Sequence, residues 1–100
     1  MEVIINVLDG KQKVVLNGRI DTTNVEQFQK DIAPLMECAN PDIEIDCSNL
    51  EYTSSQGLRM FLMLQKSVMS HGGKLVLHDM RPQVREVFDI TGFSNIITIK

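Results

Sequence analysis

The side chains best suited to chemistry in this chain are hydroxyls and carboxylates in two short segments. Thr53-Ser54-Ser55-Gln56 leads into Gly57-Leu58, and Asp21-Thr22-Thr23 leads into an apolar-periodic run. Thr-x-x-Gln matches a capping box, in which two side chains satisfy free amides at a helix start. First-turn amides lack intrahelical partners, and the positive end of the helix dipole favours an anion. A serine in that turn can therefore carry a phosphate without unfolding its helix. Serines are also common at helix starts for capping alone. The two roles are compatible, because Thr53 or Gln56 can cap while Ser55 points outward.

Other chemistries find little support. Neither His71 nor His78 comes with a nucleophile and an orienting acid, so no catalytic residue is assigned. No Gly-x-x-x-x-Gly-Lys-Ser/Thr loop is present, which removes the usual nucleotide cradle. Cys38 and Cys47 have neither metal-ligand nor redox spacing and read as small buried hydrophobes in a reduced, cytoplasmic setting. No cofactor or metal is expected. Net charge is -3 with both signs interspersed, whereas nucleic-acid binding rests on a concentrated basic patch. The first residues, Met1-Glu2-Val3-Ile4-Ile5-Asn6, lack the basic start and long apolar run of a secretory signal, so none is expected, and no apolar run approaches the ~20 residues of a membrane span.

The elements that must position these groups follow from periodicity. Composition is 43% hydrophobic and 23% charged, enough apolar surface for one packed domain over residues 1–100. Val3 to Leu8 and Lys13 to Leu16 are apolar runs joined through Asp9-Gly10, a hairpin signal. Thr23-Asn24-Val25-Glu26 fits a capping box, and Val25, Phe28, Ile32, Leu35 and Met36 share a helix face. Pro34 is expected to kink or interrupt that helix near Lys30 to Ala33. Ile43 to Cys47 alternates as a strand. Leu58, Phe61, Leu62, Gln65, Val68 and Met69 trace a second helix ending near His71-Gly72-Gly73. Lys74 to Leu77 is a strand, Pro82 to Ile90 a third helix, and Asn95 to Ile99 a last strand. The order β-β-α-β-α-β-α-β implies an α/β domain with a mixed sheet, antiparallel at the hairpin and parallel where helices intervene.

The segment Asp46-Cys47-Ser48-Asn49-Leu50-Glu51-Tyr52-Thr53-Ser54-Ser55-Gln56-Gly57-Leu58 resembles the signature of STAS domains, above all the bacterial anti-sigma factor antagonists. The family has Asp-x-Ser at a strand end, then Leu or Val, an aromatic, and Asp-Ser-Ser-Gly-Leu or a variant opening a helix. Gly18-Arg19-Ile20-Asp21 resembles the family's Gly-x-Leu-Asp, and Gly72 to Leu77 its Gly-Gly and following strand. Val84 to Phe93 resembles its last helix and exit. The likeness covers nearly the whole chain.

The resemblance implies that Ser55 receives phosphate from a partner kinase that is itself the anti-sigma factor. The family's common Asp before the acceptor is Ser54 here; Ser-Ser-small-Gly-Leu variants also occur in the family. Asp21, Thr22 and Thr23 fall in the loop that the resemblance sets beside the acceptor. Ser54, Gln56, Gly57, Arg59, Met60 and Met63 complete the expected contact surface, with Gly57 allowing close approach by the partner or by a neighbouring strand. Asp46 at a strand end is placed like the phosphoaccepting aspartate of receiver domains, but the acid pair on a first parallel strand is missing. The expected cycle has the unmodified protein bind an anti-sigma serine kinase, take phosphate on Ser55, and leave, with a serine/threonine phosphatase resetting it. The chain itself is expected not to be an enzyme. The competing expectation is an unphosphorylated adaptor subunit of a membrane transport or sensory complex.

Overall fold

The computed structural model describes residues 1–37 and 40–100, so the reading of Cys38 lies outside the described residues. The chain runs β1 (Glu2–Leu8), β2 (Lys11–Ile20), α1 (Val25–Met36), β3 (Asp42–Thr53), α2 (Ser55–Ser70), β4 (Lys74–His78), α3 (Pro82–Ile90) and β5 (Thr98–Ile99). A 3₁₀ turn at Phe93–Asn95 precedes β5. Asp9 and Gly10 both take positive φ, 53° and 77°, as a two-residue hairpin loop demands. That turn aligns Leu8 with Lys11 and sets the antiparallel register of β1 on β2.

The five strands lie in sequence order, and every pair after the hairpin is parallel. Parallel neighbours need crossovers, and crossovers are right-handed in nearly all proteins. Strands added in one direction with one hand of crossover carry their helices on one face of the sheet. Burial agrees. Val14, Ile45 and Leu77 are register neighbours and fully buried, beneath Phe28, Ile32, Phe61, Leu64, Val68 and Phe88 from the helices. Phe61 sits between Phe28 and Phe88, ring centroids 5.5 and 5.6 Å away, and so joins all three helices in one apolar layer. The alternate residues Val15, Asp46 and His78 lie side by side on the opposite, open face. Cys47 points into the core, and burial pushes its thiol up to about 12, which keeps it protonated and inert.

Several local expectations are corrected. α1 starts at Val25, one residue later than a Thr23 cap implies, and the Thr23–Glu26 capping box does not form: Asn24 occupies the cap position without a side-chain cap bond. Its amide side chain is engaged elsewhere, as described below. Pro34 does not interrupt α1, which continues through it to Met36, because it falls in the last turn, where a missing N–H costs little continuity. The buried stripe of α2 is Leu58, Phe61, Leu64 and Val68; Leu62 and Gln65 flank it half-buried, and Met69 is 62% exposed. The last strand shrinks to Thr98–Ile99, since Asn95 belongs to the 3₁₀ turn.

Candidate functional site

The strand-to-helix turn that joins β3 to α2 is built by Ser54. Its backbone is extended (φ -78°, ψ 171°), its amide donates to Ile20 O at 2.8 Å, and its Oγ accepts from Gly57 N at 3.2 Å. Ser54 is thus the N-cap, and the predicted Thr53–Gln56 box gives way to a cap one residue later. The register explains the shift. Thr53 is still paired with Ile20 in the sheet, so its side chain is buried and the first free position is Ser54. Ser55 follows at the first helical position with its side chain exposed. The cap takes Gly57 N, leaving the Ser55 and Gln56 amides at the positive end of a 16-residue helix.

Gly57 lies underneath. A Cβ there would collide with Thr53 Oγ1 and lie 2.8 Å from Ile20 Cγ2. Its close approach is therefore to the neighbouring strands, and like Ser54 it offers no side chain to the surface. Gln56 and Arg59 are exposed, Met63 is 42% exposed, and Met60 is half-buried against the core. The outer face of α2 from Ser55 through Arg59 to Met63 is thereby accessible.

The Asp21–Thr23 loop lies at the carboxyl end of β2, beside this turn through the Ile20–Ser54 bond. The Asp21 carboxylate accepts from Thr23 N at 2.9 Å and from Thr23 Oγ1. The Thr23 hydroxyl foremost, helped by that amide, holds Asp21 below the usual aspartate range. Asn24 clamps the loop from the other side: its Oδ1 accepts from Asp21 N at 2.9 Å, and its Nδ2 donates to Arg19 O at 2.8 Å. Thr22 and Thr23 stay exposed. Asp21, Thr22, Thr23, Ser55, Gln56 and Arg59 are thus grouped at the carboxyl ends of the parallel strands, the rim where open α/β sheets bind their ligands.

Sequence reasoning gave no role to three residues here. Asn24 was hidden because its side chain serves a loop and not a cap. Arg19 and Tyr52 were hidden because they are far apart in sequence and become neighbours only through the β2–β3 register. Arg19 Cζ lies 4.8 Å from the Tyr52 ring centroid. Away from this rim, Asp46, His78 and Asp79 bring donor atoms within 4.8 Å of one another on the open face. There His78 Nδ1 meets Asp79 at 2.7 Å and its Nε2 meets Glu44 at 3.4 Å, while Asp46 accepts from Ser48 N. The cluster is a solvated polar network in which the carboxylates already occupy both ring nitrogens.

A family model described as Mlab, STAS domain matches residues 6–98. The chain belongs to the STAS domain family. BtrV of Bordetella bronchiseptica, named as an anti-sigma factor antagonist, is 33% identical to it over 99 residues, covering 99% of this chain and 85% of BtrV. The anti-sigma-B factor antagonist of Bacillus subtilis is 30% identical over 101 residues, covering 99% of this chain and 92% of its own length. The STAS fold is shared with the Bacillus cell fate determinant SpoIIAA in its unphosphorylated form (TM-score 0.74, 18% identity, 99% of this chain and 87% of that one). The phosphorylated form of SpoIIAA matches as well, with a TM-score of 0.72 and 19% identity over 99% of this chain and 91% of that one. Among the described residues no helix of this STAS domain is long and apolar enough to cross a membrane.

Proposed function

We propose that this STAS domain is an anti-sigma factor antagonist, and that phosphorylation of Ser55 decides whether it binds its anti-sigma serine kinase. One observation carries the reading. Ser54 supplies the side-chain cap of α2, and among the described residues no hydrogen bond engages the exposed hydroxyl of Ser55, which stands at a helix start that favours an anion. The names of BtrV and of the Bacillus subtilis relative support the antagonist role. SpoIIAA keeps this fold with and without phosphate, which supports a switch that needs no refolding.

The proposed mechanism is a change of charge at one point. The kinase, loaded with its own ATP, binds the rim around Ser55. The γ-phosphoryl passes to Ser55 Oγ, the hydroxyl proton is lost, and ADP remains on the kinase. The product carries roughly -1.5 to -2 added charges where the kinase surface was fitted to a neutral hydroxyl. Like-charge and desolvation costs of about 3 kcal/mol change affinity about a hundredfold, enough to release the partner. A serine/threonine phosphatase returns the hydroxyl. All catalysis in this cycle belongs to the partners.

Incubating the purified protein with the cognate kinase and ATP, followed by peptide mass spectrometry, tests the reading. One phosphate on Ser55, absent from Ser55→Ala, is the expected result. A stable kinase complex that leaves Ser55 unmodified would instead identify a passive adaptor.

A further inference from the structure

We propose that Arg19, held against the ring of Tyr52, is the specificity contact by which this domain receives a carboxylate of its kinase partner; the proposal rests on the reading of Ser55 given above. The two side chains are register partners at the carboxyl ends of β2 and β3, with the guanidinium carbon 4.8 Å from the ring centroid. Both are exposed, Tyr52 at 41%. Among the described residues no ion pair engages Arg19. Asp21 feels its charge, yet the Asp21 carboxylate is already bonded to Thr23. Among the described residues the exposed guanidinium thus has the Tyr52 ring beside it and no carboxylate bound to its N–H donors.

A fork of this kind matches a planar acceptor that takes two parallel hydrogen bonds, which a carboxylate does. Contact with the ring removes part of the rotamer freedom that binding would otherwise have to freeze, and arginine and tyrosine are enriched among the residues that dominate interfaces. The chain carries a net charge of -3 with both signs interspersed, so a polyanion such as nucleic acid is a poor occupant. Position selects the kinase as the protein that brings the carboxylate. Tyr52 and Ser55 are three residues apart, at most about 11 Å along the chain. A standard interface of about 800 Å² per partner reaches roughly 16 Å from its centre. Ile20 and Thr53 turn inward to Gly57 of α2, so Arg19 and Tyr52, next to them in their strands, stand on the other face of the sheet at its rim. A kinase that seats its active site over Ser55 and reaches across that rim meets them, and the Ser54–Ile20 bond fixes the two strand ends together.

The test is calorimetric binding of the unphosphorylated domain to the ADP-loaded form of the serine kinase used above. Arg19→Ala is expected to raise Kd about tenfold. Arg19→Lys, which keeps the charge and loses the fork, should recover only part of that loss. Tyr52→Ala should weaken binding too, and the double variant should be no worse than Arg19→Ala within twofold, because the ring acts through the guanidinium. Added salt should shrink the Arg19 effect. Circular dichroism establishes that each variant is folded, with Arg19→Gln and Tyr52→Leu as replacements for any that is not. Single variants of both residues that bind within twofold of wild type would overturn the proposal. Absence of phosphate from Ser55 in the wild type would overturn the switch reading instead, and the Kd series would still report on Arg19 with any kinase that binds.

Discussion

At the scale of single residues, two adjacent serines have been given different work by one register position. Ser54 turns inward, 9% exposed, and commits its hydroxyl to the helix start; Ser55 turns outward, and among the described residues its hydroxyl has no hydrogen-bond partner. The two alanine substitutions should therefore part company. Ser54→Ala is expected to lower unfolding free energy by about 1 kcal/mol, the usual worth of an N-cap, whereas Ser55→Ala should change it by less than about 0.5 kcal/mol. Urea titration of both variants checks this. Equal losses would mean that Ser55 shares the capping and is not free to be modified. The signature motif made Ser55 visible in the sequence; which serine capped was not visible, because that depends on Thr53 still being paired in the sheet.

At the scale of elements, the rim depends on a loop whose order comes from Asn24. Its side chain ties Asp21 N to Arg19 O and so joins the end of β2 to the start of α1. Asn24→Ala removes both bonds and is expected to cost about 1 to 2 kcal/mol, with amide exchange speeding up in Asp21–Thr23 and not in α2. Hydrogen exchange resolved by residue measures it; uniform acceleration across the domain would show that the clamp is not local. The elements themselves were largely readable in advance. Asp9-Gly10 announced the hairpin because only a left-handed turn suits that spacing, and Pro82 and Gly92 bounded α3 by their backbone restrictions alone. The errors fell where side chains answer to tertiary neighbours. Leu64 and not Leu62 faces the core because α2 is oriented by its contact with Phe28 and Phe88, and Pro34 is harmless because α1 happens to stop two residues later. The Arg19–Tyr52 pair was unreadable for the same reason, since a bulged register between β2 and β3 brings it together.

At the scale of the molecule, the sheet keeps its two faces apart: apolar layer and helices on one, a polar network on the other. In the proposed switch, this packing behind the rim lets a charge added at Ser55 act on a partner while the domain keeps its fold. The open face makes its own prediction about pH. The Ser48 amide, donating to the Asp46 carboxylate, holds Asp46 below the usual aspartate range against a smaller opposing effect of burial. A depressed carboxylate contributes stability that is fully present above the ordinary aspartate value, about 3.9, and is lost as pH falls through the lowered folded value. Asp46→Asn should flatten that acid limb in denaturant titrations run across the range, leaving neutral-pH behaviour of the rim intact. An unchanged limb would place the acid sensitivity elsewhere.

The proposed switch is a difference in affinity, read most directly as the Kd of the cognate kinase for the unmodified domain against that for the same domain phosphorylated on Ser55. A loss of about a hundredfold on phosphorylation is predicted, with the domain's melting midpoint nearly unmoved. Affinities within twofold of each other would contradict the switch, because the added dianion would then lie outside the surface that the kinase reads.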